Sequence, residues 1–417
     1  MIKAARGARS GVRLHIFSLL LPAALAAASP AYANAPEDLF RQGHFFGELR
    51  YRYESVDKDG FAKDAQANTV RADLGFETGL YRDFTALVDF QSVQHIGDDD
   101  FNDTENGNTT FPIIADPDKA QFRQAWIMWT GLPDTMVRGG RQEITYDNQR
   151  FVGNVDFRQN DQTFDAGTVS WSPLSGLTLD YAYVWNINRI AGADYTGRTQ
   201  LLHGAYEYAD WLRVEAYGYF IDLNQKASQS SKTFGAQARG EKAITDDLEF
   251  DYLVEYAVQR DYTENPDDFR LRYFHVTPTV IWKDITLQAG FESLEGDGTD
   301  AFQTPLATLH AFNGWADLFL TTPAGGLEDR YARATYKLSG FGNWIDGLAF
   351  DAVYHDFNAE NTAADYGTEW DFQIRKSFQT KQFLTKEWNL AAKYAAYDAD
   401  TMFTDTNKFW LTVGTRF

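Results

Sequence analysis

Apolar and polar residues alternate one by one along much of the chain. The stretch Phe45–Glu54 places Leu49 and Tyr51 on one face and Arg50 and Arg52 on the other. Because successive side chains of a β-strand point to opposite faces, this spacing predicts a strand with one apolar and one polar face. A strand that separates lipid from water requires that division.

The alternation recurs through the whole chain, in about eighteen segments. After the two that begin near Phe45 and Val70, further segments begin near Phe84, Gln121, Thr135, Thr163, Leu177, Gln200, Trp211, Thr233, Leu248, Leu271, Ile285, Asp329, Gly347, Tyr366, Lys386 and Asn407. The fold class predicted is therefore all-β, a transmembrane antiparallel up-and-down β-barrel of about eighteen strands. A barrel of that size has an interior too wide for side chains alone to fill, so we expect an aqueous channel.

The connections between segments alternate in length. Those after even-numbered segments are short, as at Pro133-Asp134 and Lys283-Asp284. Those after odd-numbered segments are mostly long and polar, as at Gly97–Ala120, Tyr146–Gln162 and Glu295–Glu328. This sorting is typical of bacterial outer-membrane barrels, which have short periplasmic turns and long extracellular loops.

The two ends of the chain favour export to the outer membrane. Basic residues precede an apolar run from Leu14 to Ala28, and small residues follow around Ala33, which together indicate a cleavable signal peptide over residues 1–33. Residues 34–44 then form a short periplasmic segment, and the barrel occupies residues 45–417. The last strand ends on Phe417, as in the C-terminal signal of such barrels. We expect contacts with outer-membrane lipids, lipopolysaccharide and the barrel assembly machinery in a Gram-negative cell.

Composition excludes several classes of function. Aromatic residues make up 16% of the chain at a mean hydropathy of only −0.43, which suits strands that are apolar on one face. The formal net charge of −21 disfavours a nucleic-acid partner, which would require clustered Lys and Arg. The chain has no Cys, so disulfides, thiol nucleophiles and thiolate metal sites are excluded. No cofactor is expected.

Two blocks of the sequence, Gly140–Ala166 and Phe302–Tyr331, resemble the alginate export family of outer-membrane porins. The likeness in strand layout extends over essentially the whole chain after residue 33. The resemblance implies an eighteen-stranded barrel whose charged lumen passes an anionic polysaccharide or oligosaccharide by diffusion. The positions that match the family are Gly140, Arg141, Gln142, Asn148, Arg150, Gly153, Thr163, Phe164 and Asp165 in the first block, and His310, Gly314, Trp315, Ala316, Asp317, Pro323, Gly325 and Asp329 in the second.

Basic residues on the polar face are the candidates for the substrate path. Guanidinium groups stay charged and present several donors, so inward Arg residues can hold carboxylates transiently. The predicted pore-lining residues are Arg50, Arg52, Arg71, Arg123, Arg141, Arg150, Arg213, Arg239, Arg272, Arg375 and Lys393. Acidic residues on the same face nearly balance them. One alternative is therefore that these charges pair across neighbouring strands and only keep the wall hydrated and rigid. A second alternative is that the protein is a general or small-solute-selective porin.

The long segment Glu295–Glu328 is rich in Phe, Trp, Gly and Pro. Long loops of this kind are usually functional or disordered, and the aromatic content argues against disorder. We expect it to fold inward and narrow the channel, and to offer Phe302, Phe312 and Trp315 as stacking surfaces for sugar rings. A loop that packs over the barrel mouth for stability alone is the alternative. The predicted constriction residues are Phe302, His310, Phe312, Trp315 and Asp317.

Catalysis and metal binding receive little support. No HExxH or GxSxG motif is present, and no placed nucleophile is found. His310 and Asp317 are the loop-borne pair that a barrel enzyme would use, and an adhesin is a further alternative. The acidic run Asp98–Glu105 lacks the Gly and distal Glu of an EF-hand loop, so a solvated loop is favoured over a Ca²⁺ site. No catalytic residue and no metal ligand are assigned.

Overall fold

A computed structural model describes residues 36–342, 344–380 and 386–417. The signal peptide predicted for residues 1–33 lies outside the described residues. The short helix α1 (Asp38–Arg41) precedes the first strand, and the chain ends in a strand. None of the described helices is long and apolar enough to cross a membrane.

In the described part of the chain, eighteen antiparallel strands form one closed sheet. The strands are β1 (His44–Lys58), β2 (Ala65–Glu77), β3 (Phe84–His95), β4 (Lys119–Leu132), β5 (Thr135–Gln142), β6 (Thr163–Leu174), β7 (Leu177–Asn188), β8 (Tyr195–Ala209), β9 (Leu212–Ile221), β10 (Ser231–Thr245), β11 (Leu248–Asp261), β12 (Arg270–Trp282), β13 (Ile285–Leu294), β14 (Leu327–Lys337), β15 (Ala349–Asn358), β16 (Asp365–Gln379), β17 (Glu387–Ala399) and β18 (Thr406–Arg416). Each strand pairs with its neighbours in the chain, and β1 pairs with β18 to close the cylinder, with Glu48 opposite Arg416. The predicted barrel, its number of strands and its up-and-down order are confirmed.

The division into two faces follows the predicted alternation. On β1, Leu49 is 48% exposed on the outer face, whereas Arg50 and Arg52 point inward and are buried. The outer face carries a wide band of exposed apolar and aromatic side chains, for example Leu74, Ile127 and Leu287. Because only a closed barrel pairs every strand edge, this apolar band can meet lipid without exposing backbone groups.

Connection lengths sort to the two ends of the barrel. At the short-turn end, most strands are joined by pairs of residues such as Pro133-Asp134. Three connections at this end are longer, namely 78–83, 338–348 and 380–386. At the long-loop end lie the loops 96–118, 143–162 and 295–326. The first connection is shorter than predicted, because β1 and β2 extend to Lys58 and Ala65.

The main hydrophobic core lies inside the barrel, toward the long-loop end. Wall residues Leu201, Tyr219 and Tyr273 pack against Phe151 and Phe302, which come from the loops. The loops that turn inward thus build a hydrophobic core within the lumen, and this core positions the candidate site.

Candidate functional site in the barrel lumen

Two long loops meet inside the lumen. We call loop 143–162 the first inner loop and loop 295–326 the second inner loop. Val152 and Leu306 form a parallel β-bridge between them. The amide of Gly153 donates to the Leu306 carbonyl at 2.8 Å, and the amide of Thr308 donates to the Gln149 carbonyl at 3.0 Å. The two loops therefore form one hydrogen-bonded layer across the lumen.

Arg150 joins both loops to the wall. Its Nε donates to Glu292 of β13 at 2.6 Å, and its other nitrogens donate to Thr304 at 2.9 Å and Asn313 at 3.1 Å. The guanidinium also lies 4.9 Å from the ring centroid of Phe312. Since Arg150 is only 2% exposed, its charge depends on these partners rather than on water.

The first inner loop is bound to the opposite wall by arginines of β1, β2 and β4. Arg50 donates to the side chain of Gln159 at 2.9 Å. Arg71 donates to both oxygens of Asp161 at 2.8 and 2.9 Å, and Arg123 donates to the same carboxylate at 3.0 Å. These arginines therefore hold the loop in the lumen.

The second inner loop is bound to β16 through its backbone. The amide of Trp315 donates to Asp371 at 3.2 Å, and the amide of Ala316 donates to Glu369 at 2.7 Å. Gly314, just before them, has a φ of +84°, and an added Cβ would lie 2.4 Å from a Glu369 carboxylate oxygen. Only glycine fits this approach of the loop to the wall.

His310 and Asp317 anchor the second inner loop on its other side. His310 Nδ1 and Asp317 Oδ1 lie 2.7 Å apart, and His310 Nε2 lies 2.7 Å from the Lys393 ammonium. Burial, reinforced by the positive charge of Lys393, lowers the pKa of His310 to about 3. A neutral ring accepts from Lys393 and donates to Asp317, whose carboxylate also accepts from Arg158 at 3.0 Å and from Lys408 at 3.3 Å. Both ring nitrogens are thus occupied by anchoring contacts.

The predicted pore-lining residues fall into distinct groups. Those nearest the inner loops are covered by them: Arg50, Arg52 and Arg71 are at most 8% exposed. Others face the lumen and keep partial exposure, as do Arg123, Arg213, Arg239, Arg375 and Lys393. The covered residues act as loop anchors, whereas the second set keeps some exposure to the lumen. Arg123 and Lys393 of that second set also contact the inner loops.

The prediction that Arg141 and Arg272 line the pore is wrong, because both side chains point to the outer face. Arg141 stands opposite Asp165 and binds it at 2.8 Å, in the outward row of β6 that includes exposed Trp171. On β12, Leu271 and Tyr273 are buried inside, and Arg272 between them points outward. At Arg272 the expectation that charged residues point inward fails because its neighbours Leu271 and Tyr273 belong to the apolar core that the loops build inside the barrel.

The predicted stacking surfaces are also corrected. Phe302 is 0% exposed and packs against Tyr273 and Phe151, and Trp315 is 8% exposed beneath the ammonium of Lys393 at 3.9 Å. These rings stabilise the loop layer and offer no free face to a sugar. Phe312 is half-buried.

Sequence reasoning missed several lumen residues. Arg158 binds Glu54 of β1 at 2.8 Å, and Arg333 of β14 binds Asp351 at 2.8 Å, beside Arg375 at 2.9 Å from the same carboxylate. Strand alternation alone would have found Arg333. Arg158 lies in a loop, where no periodicity marks a direction.

The lumen-facing charges are unevenly distributed around the wall. The described strands β14–β18 and β1–β5 carry most of the inward cations, which are Arg50, Arg52, Arg71, Arg123, Arg138, Arg333, Arg375, Lys393, Lys408 and Arg416. Strands β8–β13 carry an excess of inward carboxylates, namely Glu207, Glu215, Glu241, Glu249, Asp251, Glu255 and Glu292. Strands β14–β18 and β1–β5 also carry inward carboxylates that pair with these cations, among them Glu48, Asp73, Asp89 and Asp351. The wall therefore has a mixed side, where cations and carboxylates nearly balance, and an acidic side, where carboxylates are in excess.

The acidic run of loop 96–118 is engaged in hydrogen bonds within the fold. Asp103 accepts from the backbone amides of Glu105 and Asn106, each at 2.6 Å, which is an ordinary loop cap. Elsewhere among the described residues, Glu241, Glu249 and Asp251 have carboxylate oxygens within 4.8 Å of one another near the short-turn end.

A sequence model of the family described as alginate export matches residues 42–276. The chain belongs to the alginate export family. The matched range includes the block Gly140–Ala166 and with it the whole first inner loop. No curated protein matches the chain.

Solved structures with the same fold are outer-membrane porins. OccAB2 of Acinetobacter baumannii aligns over 91% of this chain and 99% of its own at 16% identity, with a TM-score of 0.72. OccK9 (OpdG) of Pseudomonas aeruginosa aligns over 91% and 100% at 16% identity with a TM-score of 0.71, and OpdO of the same organism over 91% and 98% at 16% with 0.70. At this identity the likeness shows the fold. The family and the fold together indicate an outer-membrane channel.

Proposed function

We propose that this channel lets an anionic oligosaccharide or polysaccharide diffuse across the outer membrane, with the long-loop end facing the cell exterior. The observation that carries the proposal is the partly exposed pair Arg333 and Arg375 on the mixed side of the lumen. Arg333 and Arg375 share the single carboxylate of Asp351, so one positive charge remains in excess. Lys393 lies nearby on β17.

The chemistry of these groups suits a sugar acid. A guanidinium binds a carboxylate through two parallel donors, yet exchange with water is fast when the site is partly solvated. Successive carboxylates of a sugar chain can therefore move from one cation to the next down a concentration gradient. The acidic side across the lumen repels the same carboxylates and keeps the sugar chain near Arg333 and Arg375.

Recordings in planar bilayers test this proposal. We expect alginate oligomers to block the wild-type channel in a concentration-dependent way, and Arg333→Gln/Arg375→Gln to weaken the block. Arg213→Gln/Arg239→Gln is the matched control, because these two arginines lie on the acidic side and both bind Glu215. An unblocked wild-type channel would contradict the proposal.

A small-solute-selective porin is the second candidate, favoured by the continuous layer that the inner loops form. A layer joined by backbone hydrogen bonds leaves less room for a thick polymer than for short solutes. Deleting 304–322 should raise single-channel conductance if the second inner loop constricts the passage. Equal conductance of the deletion variant and the wild type would remove the constriction from both candidates.

A further inference from the structure

Four basic side chains lie together on the outward face of β10, β11 and β12, at the long-loop end. Arg260 of β11 stands directly opposite Lys232 of β10 on one side and Arg270 of β12 on the other. Arg272 is the next residue on the same face of β12. We call Lys232, Arg260, Arg270 and Arg272 the outer basic cluster.

The outer basic cluster faces away from the lumen. Gln259 and Leu271, which alternate with its arginines, point inward and are each 1% exposed. Arg260, Arg270 and Arg272 are exposed, and Lys232 is half-buried. The cluster is therefore open to whatever surrounds the barrel.

Within the described ranges, no carboxylate lies within the 4.0 Å of an ion pair to any member of the cluster. Glu295 and Glu360 line a shallow cavity of about 180 Å³ together with Arg272 and Phe274. Lys232, Arg260 and Arg270 do not line that cavity. Like charges directly opposite each other on neighbouring strands destabilise a sheet, so this row favours binding of an anion.

The surface directly below the cluster is apolar. On the same outward face, toward the short-turn end, lie Phe234, Tyr256, Phe274 and Val254, which are 53%, 48%, 36% and 41% exposed. Cations above an aromatic row mark the level at which lipid headgroups meet acyl chains. A soluble anion would contact the cations alone, whereas a lipid would contact both surfaces.

We propose that the outer basic cluster binds the phosphates of lipid A, the phosphorylated glycolipid anchor of lipopolysaccharide. The arginine forks bind phosphate oxygens in pairs, and the acyl chains lie on the aromatic row below. This proposal rests on the orientation in the proposed function, which places the long-loop end in the outer leaflet.

Binding of purified lipid A to the detergent-solubilised protein tests the site. Wild type should bind bisphosphorylated lipid A and bind dephosphorylated lipid A with the same acyl chains more weakly. The variant Lys232→Gln/Arg260→Gln/Arg270→Gln should lose about tenfold or more in affinity for the phosphorylated form, since each cation near an anionic lipid surface contributes separately. Raising the salt concentration should also weaken the binding of phosphorylated lipid A to wild type, because salt screens the attraction between the cations and the phosphates.

The matched control removes three cations from the other end of the barrel. Arg82→Gln/Lys242→Gln/Lys283→Gln changes exposed residues at the short-turn end and should bind lipid A as the wild type does. Heat-modifiable mobility in gels verifies folding of each variant.

Three outcomes would overturn the proposal. The first is equal affinity of wild type for phosphorylated and dephosphorylated lipid A, and the second is a wild-type affinity that salt does not change; both are measurable even if the triple variant fails to fold. The third is an unchanged affinity of the folded triple variant. Conductance and oligosaccharide block of that variant should remain at wild-type values, so failure of the lipid site and failure of the channel proposal are distinguishable.

Discussion

Replacing Arg150 by Met should release the layer of inner loops from the wall. The substitution removes the donors to Glu292, Thr304 and Asn313 and keeps a side chain of similar length. Glu292 is then left buried without its cation, because its side chain is 2% exposed.

The magnitude follows from that unpaired carboxylate. Removing one partner of a buried ion pair costs about 3–5 kcal/mol. Glu292 keeps two donors, the Tyr273 hydroxyl at 2.7 Å and the Asn313 amide at 2.6 Å, so we expect the lower end of that range. A cost of about 3 kcal/mol shifts the balance between bound and released loops by about a hundredfold. The strand ladders are untouched, so the barrel itself should stay folded.

Single-channel recording and limited proteolysis measure the effect. Arg150→Met should show higher or more variable conductance and faster cleavage within the two inner loops, with normal heat-modifiable mobility. Arg141→Met is the matched control, because Arg141 pairs with Asp165 on the outer face and should leave conductance unchanged. Wild-type conductance and cleavage in Arg150→Met would refute the role of this junction.

Two further predictions concern the same layer. Burial and the neighbouring carboxylates raise the pKa of Glu143 to about 7, so its negative charge is lost as pH falls through 7. The anion selectivity of the channel should therefore be greater at acidic than at alkaline pH. Glu143→Gln should remove that part of the pH dependence. If the anion selectivity of wild type and of Glu143→Gln changes equally from acidic to alkaline pH, Glu143 does not face the ion path. Gly314→Ala should loosen the second inner loop, because it adds a left-handed backbone cost of about 1–2 kcal/mol to a clash with Glu369. Gly347→Ala has a similar φ of +87° and no atom within 4 Å of the added Cβ, so conductance equal in the two variants would argue against the clash.

The sequence determined the barrel because the signal for it is local. An outward side chain meets lipid and its neighbour meets the interior, and this contrast repeats at every second residue of each strand. Strand number, strand order and the sorting of short turns from long loops therefore follow from the pattern of residues such as Leu49 and Arg50. The expected strand starts at Phe84 and Leu248 coincide with those observed.

Tertiary structure decided what each polar residue does. Arg150 and Glu292 are 142 positions apart, and Arg158 and Glu54 are 104 apart, so no local pattern could pair them. Because the loops fold into the lumen, Arg50 binds the first inner loop instead of lining an open channel. The apolar residues Leu271 and Tyr273 face inward because the loops give them a core to pack into, and Arg272 between them therefore faces outward. Alternation assigns each residue to one of the two faces of a strand. The loops that pack against the inner face determine whether its residues are solvated, buried or accessible to a solute.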